Sequence, residues 1–185
     1  MEPVVRMMLP ILRTIAFLAI TTLATSLDSR AQVNKSTGDD HWLSRMVGRW
    51  VLKGQIAGKD TTHDVQGTWV LNHLYVRLHE VSREKDPRGR PAYEGIIYVT
   101  RDVVQGEYAV LWLDNTASGA FADEGTGHAR PNGESLPFVF KNAGGEVSFR
   151  NTFVYDSATQ TWTWLMDNVD NGVSKPFGRV KLSKR

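Results

Sequence analysis

The chain has 185 residues, 41% of them hydrophobic and 23% charged, with 22 Lys and Arg set against 20 Asp and Glu. A net charge of only +2 argues against the basic footprint that nucleic-acid binders carry. There is no cysteine, which excludes a disulfide scaffold and thiol chemistry and leaves the hydrophobic core alone to hold the fold.

Residues 1–31 have the layout of a secretory signal peptide. Arg6 and Arg13 mark a basic start, an apolar stretch runs from Ile15 to Leu23, and small and polar residues follow. Ser29-Arg30-Ala31 fits the small-x-small rule and places the new terminus at Gln32; Thr22-Leu23-Ala24 is a second such site. The alternative is an uncleaved membrane anchor, but the run falls short of the roughly 20 residues a span needs. Cleavage takes away three basic and two acidic residues and leaves a net charge of +1. The mature chain of about 150 residues suffices for one domain with a sizeable core. The expected location is the periplasm or the outside of the cell, with no membrane association after cleavage. Residues 32–38 read as a flexible polar linker, in which Asn34-Lys35-Ser36 is formally a glycosylation acceptor. Residues 39–185 form the folded domain.

Asp39 or Asp40 caps a short helix that runs to about Val47, and Gly48 ends it. Trp42, Met46 and Val47 are its plugging residues. From Trp50 onward the chain reads as strands, over 49–57, 62–71, 73–83, 92–101, 106–114, 119–130, 135–141, 146–155, 160–168 and 173–184. Turn residues punctuate them, among them Gly58-Lys59-Asp60, Asp86-Pro87-Arg88-Gly89, Pro131-Asn132-Gly133 and Asp170-Asn171-Gly172. Many short strands without a long helix indicate an all-β, antiparallel architecture. A closed barrel of about 8–10 strands has room for one small ligand. Aromatic residues are spread over the strands and mostly serve the core.

Two signals at the chain ends match the closure of a lipocalin-like barrel. Gly48-Arg49-Trp50 opens the first strand, and Arg179 stands in the last, where its guanidinium can lie on the indole of Trp50 as a cation–π partner. With His63-Asp64-Val65, Trp69-Val70-Leu71, the run from His79 to Glu84, Pro91-Ala92-Tyr93-Glu94, Leu111-Trp112-Leu113-Asp114, Pro137-Phe138-Val139-Phe140, Trp162 to Asp167 and Pro176 to Val180, the chain resembles exported bacterial proteins of unknown function with a lipocalin-like (calycin) β-barrel. The resemblance spans about residues 41–184. It implies a barrel with an internal pocket and no settled activity. The Gly-x-Trp start is shared with haem-binding nitrobindin-like barrels, but no histidine here matches a haem ligand, so the resemblance implies no cofactor.

Candidate site residues follow from the alternation of the strands. His73, Tyr75, Arg77 and His79 lie on one face; Leu74, Val76, Leu78 and Glu80 lie on the other, which is the expected interior. Glu80 then ends an apolar row as a pocket acid, or else as a solvent-end carboxylate. Glu94 alternates with Ile96 and Tyr98, and Tyr93 with Gly95, Ile97 and Val99, so either face can be inside. Asp114 shares a face with Tyr108, Val110 and Trp112, and Asp167 with Thr163 and Leu165. Both aspartates either initiate turns or belong to a ring of carboxylates at the open end, opposite Trp50. Arg150 falls on the surface if Phe149, Phe153 and Tyr155 point inward. His73 and His79 stand about 20 Å apart on one face and cannot share a metal, and no metal site is expected. No Gly-x-Ser-x-Gly elbow is present, and Ser118-Gly119 lies in a loop.

The reading that follows is an exported barrel for a small apolar or amphiphilic ligand. Tyr93, Trp112 and Trp164 supply apolar walls, while Glu80, Asp114, Arg77 and Glu94 supply polar contacts. Trp50 and Arg179 close the fold. The alternatives are a hydrolase or isomerase built on pocket carboxylates and histidines, and a protein-interaction barrel that forms a homodimer.

Overall fold

The computed structural model describes residues 40–116 and 125–185. The expected signal peptide and linker, Asp39, the Asn34 triplet, Ser118-Gly119 and Phe121 lie outside the described residues. Helix α1 (His41–Met46) is followed by ten strands: β1 (Gly48–Ile56), β2 (Lys59–Val70), β3 (Tyr75–Ser82), β4 (Glu94–Asp102), β5 (Glu107–Asp114), β6 (Thr126–Ala129), β7 (Ser135–Lys141), β8 (Val147–Asp156), β9 (Thr161–Asp170) and β10 (Val173–Lys184). Each strand pairs antiparallel with its neighbours in sequence, and β1 pairs with β10, so the sheet closes into a ten-stranded barrel. Closure leaves no long open sheet edge.

The period-2 pattern of the strands sets the interior. Val76, Leu78, Glu80 and Ser82 of β3 are buried, as are Phe153 and Tyr155 of β8 and Val180 and Leu182 of β10. Intervening residues such as Arg77, Arg150 and Arg179 therefore point outward. Asp40 caps α1, its Oδ1 accepting the amides of Trp42 and Leu43 at 2.9 and 3.1 Å. Its other oxygen accepts the hydroxyl of Tyr108 (2.7 Å) and the guanidinium of Arg101 (3.3 Å), which ties the helix to β5 and β4. Burial and the Asp40 carboxylate together hold the Tyr108 phenol well above the usual tyrosine range.

The helix closes one end of the barrel. Trp42, Leu43 and Met46 are buried against Trp50 and Trp162, and the Trp50 indole donates to the Met46 carbonyl at 3.0 Å. Gly67 of β2 allows this close approach, because a Cβ there would stand 2.0 Å from the same carbonyl. Trp50 thus lies buried at the end that α1 closes, and its cationic neighbour is not Arg179. The register sets Trp50 opposite Lys184, whose ammonium lies 5.5 Å from the ring, whereas Arg179 stands opposite Gln55, nearer the other end. Arg179 instead donates from the outer face to the Met166 carbonyl and to Asp167.

Above the plug runs a column of rings. Trp42 contacts Trp162, Trp162 contacts Phe153, Phe153 stacks on Trp164 at 4.5 Å, and Trp164 meets Trp112 edge-on at 5.9 Å. Around Trp50, Phe153 and Trp162 only a void of about 10 Å³ remains. The floor half of the barrel is therefore packed as a core among the described residues, and a large cavity lies at the opposite end.

Candidate functional site

At the mouth end the barrel opens into a cavity of about 1220 Å³. Its apolar wall comes from Trp112, Trp164, Phe140, Phe149, Met166 and Phe177. Phe149 bridges Phe140 and Phe177 through edge-to-face contacts at 5.7 and 5.9 Å, which fixes the wall on the β7, β8 and β10 side.

The polar wall comes from β2, β3 and the segment before β4. His63 and Glu80 both point inward from neighbouring strands, and His63 Nδ1 meets Glu80 Oε1 at 2.5 Å. The two side chains are only 5% and 3% exposed. Thr61, two residues before His63 on the same strand face, places its hydroxyl 2.7 Å from His63 Nε2. In the tautomer that carries its proton on Nδ1, that nitrogen donates to the carboxylate and Nε2 accepts from Thr61, whose hydroxyl also lies 3.4 Å from Glu84 Oε2, so a hydroxyl, an imidazole and a carboxylate stand in a row beside the cavity. Glu80 Oε2 is buried and has no hydrogen-bond partner. An unpaired buried acceptor costs about 1–3 kcal/mol.

Tyr93 covers this pair. Its ring stacks on His63 with 5.4 Å between centroids and 15° between planes. Its hydroxyl accepts the Trp112 indole N–H at 2.8 Å and pairs with Asp114. Gly95 makes room for that hydroxyl, since a Cβ there would stand 2.7 Å from it. Burial, followed by the nearby Glu80 and Asp114 carboxylates, drives the Tyr93 phenol far above its ordinary value, so it stays neutral and keeps its proton for Asp114. Of the two alternatives for Asp114, turn initiation is what its contacts show, and no ring with Asp167 forms because Asp167 faces outward. Asp114 initiates a turn by accepting the Thr116 amide and hydroxyl at 2.8 and 2.6 Å, and it lines the cavity mouth.

Of the residues expected at the site, the cavity brings together Glu80, Tyr93, Trp112, Asp114 and Trp164. Arg77 and Glu94 are corrections to that set. Both stand on the outer face because Leu78 and Gly95 take the inner positions beside them, and Glu94 pairs there with His79 at 2.7 Å. Asp167 likewise faces out, toward Arg179. Arg150 lies on the surface and donates to Ser174 at 2.9 Å. Sequence reasoning missed Thr61 and His63 as site residues. The signal was present, since Thr61, His63, Val65 and Gly67 form one alternating row that ends in two small or apolar interior residues. Among the described residues, no three of His, Asp and Glu come together in a way that could hold a metal ion.

A scan against protein-family models finds no match for this chain, and a search of curated proteins finds none.

Proposed function

We propose that this protein is an exported barrel that binds one small amphiphilic molecule in the mouth cavity. The observation that carries the reading is the division of the barrel into a packed floor half and an open mouth half of about 1220 Å³, at or beyond the upper end of ordinary ligand pockets. The walls are aromatic on one side and hydrogen-bonding on the other, as an amphiphile requires. The apolar part of the ligand lies against Trp112, Trp164 and Phe149, and its polar group lies toward Tyr93, Asp114 and the His63–Glu80 pair. The basic and apolar layout of residues 1–31 and the resemblance to exported lipocalin-like barrels support the export part of the reading.

Titration with Nile red, a neutral dye whose emission brightens and shifts to the blue in apolar surroundings, tests the binding. The expected result is saturable 1:1 binding at micromolar to tens-of-micromolar concentrations. Emission no different from that in buffer contradicts the reading.

A second reading has its own observation in the Thr61–His63–Glu80 row. A base oriented by a carboxylate and opening on a cavity is the arrangement that general acid–base catalysis uses. Under that reading the protein turns over a small ester or isomerises a carbonyl compound. Conversion of a short-chain p-nitrophenyl ester that disappears in His63→Asn, with the melting temperature kept, would select it; equal rates in the two proteins would eliminate it.

A further inference from the structure

The charge of the cavity wall says what kind of polar group the ligand carries. Among the described residues, four carboxylates line the cavity, those of Asp60, Glu80, Glu84 and Asp114, against Lys59 as the single Lys or Arg. Of these, Glu80 is the deepest and is only 2% exposed. Its Oε1 is committed to His63, and its Oε2 is buried without a donor. Arg83, close by in sequence, does not offset this charge, because it is engaged on the outer face with Asp64 at 2.7 and 3.0 Å. The Tyr93 hydroxyl is taken up by Trp112 and Asp114.

An anionic ligand entering this mouth would meet the exposed Asp60 and Glu84 carboxylates at the rim and then the half-buried Asp114 and the buried Glu80, beside which like charges repel more strongly than in water. A ligand with several N–H donors and a positive charge would instead find acceptors, and the indole rings of Trp112 and Trp164 add the aromatic surface that cations favour. We propose that the cavity selects cationic amphiphiles, an aromatic or aliphatic body carrying a primary or substituted ammonium group, over neutral and anionic ones of the same shape. This inference rests on the binding reading above and deepens it by naming the ligand class. The ammonium sits at the mouth on the Tyr93–Asp114 side, within the field of the buried Glu80 carboxylate, whose charge acts on it through the low-dielectric wall without direct contact.

Three molecules with one skeleton test it: 4-phenylbutylamine, 4-phenylbutan-1-ol and 4-phenylbutyrate, titrated calorimetrically into the purified protein at pH 7 and low salt. The expected order of affinity is amine, then alcohol, then carboxylate, with at least tenfold between the first and the last. Asp114→Asn and Glu80→Gln, each close to isosteric, shrink the amine-to-carboxylate ratio at least threefold. Glu94→Gln, on the outer face, leaves it unchanged. Should Glu80→Gln not fold, Asp114→Asn decides alone. Equal affinities, or a preference for the carboxylate, overturn the charge inference while leaving a binding cavity. No heat from any of the three overturns both the inference and the binding reading.

Discussion

Replacing Trp50 by alanine tests how the barrel is closed. The indole is 2% exposed, so nearly its whole surface is out of water in the folded state. Losing about 150 Å² of buried aromatic surface costs about 4 kcal/mol at 25 cal/mol per Å². The Met46 carbonyl also loses its indole donor, held at 3.0 Å, which adds about 1–3 kcal/mol. Partial collapse of α1 into the gap returns some of this, so the expected net loss is about 3–5 kcal/mol. Trp50→Phe keeps a ring but not the donor, and its expected loss is about 1–3 kcal/mol. Equilibrium unfolding in urea, followed by far-UV circular dichroism so that the lost indole does not alter the signal, measures both. A loss below about 1 kcal/mol for the alanine variant, with an unchanged denaturant slope, refutes the floor-plug account.

Other substitutions probe the interior and the site. Asn151 faces inward, is 0% exposed, and has no partner for either side-chain polar atom, so Asn151→Leu is expected to raise stability by about 1–3 kcal/mol; a loss in urea unfolding would mean that the amide is satisfied in solution. Gly95→Ala drives a methyl group into a Tyr93 hydroxyl already held by Trp112, with an expected loss of about 1–3 kcal/mol and a changed indole emission, and wild-type stability would contradict the geometry. In alkaline solution Tyr93 and Tyr108 keep their protons in the folded state beyond the pH, near 10, at which an unfolded chain releases them. The folded state therefore binds more protons than the unfolded one above that pH, and stability falls as pH rises. Absorbance at 295 nm, compared with Tyr93→Phe and Tyr108→Phe, is expected to show that these two phenols ionise only with unfolding; their ionisation in the folded protein near pH 10 would contradict it.

Strand positions were legible because apolar alternation and turn residues agree along most of the chain. The last strand runs over the expected 173–184, and β5 begins at Glu107, one residue beyond expectation. His73 illustrates where local pattern fails. It continues the alternation of β3, yet Leu71, Asn72 and His73 all adopt positive φ and form the turn before Tyr75. The expected strand over 119–130 is seen as the four residues of β6, with residues 117–124 outside the described residues. Within the site, Glu80 was legible because it ends the row of Val76 and Leu78. The His63–Glu80 pair was not, because it joins positions 17 residues apart across two strands, and only register creates it. Glu94 stood between two equally apolar rows, and three-dimensional closure alone decided that Gly95, Ile97 and Val99 face inward. The presence of Arg179 in the last strand suggests a place beside Trp50, but the β1–β10 register sets it five positions away, opposite Gln55.

Five of the six tryptophans offer the most direct test of the central claim, because they divide between floor and cavity. In a ¹H–¹⁵N correlation spectrum the indole N–H signals of Trp112 and Trp164, which line the cavity, are expected to shift progressively as 4-phenylbutylamine is added. Those of Trp42, Trp50 and Trp162, packed around the plug, are expected to stay in place. Shifts confined to the plug tryptophans, or no shift at any indole at millimolar ligand, would contradict a ligand site in the mouth of this barrel.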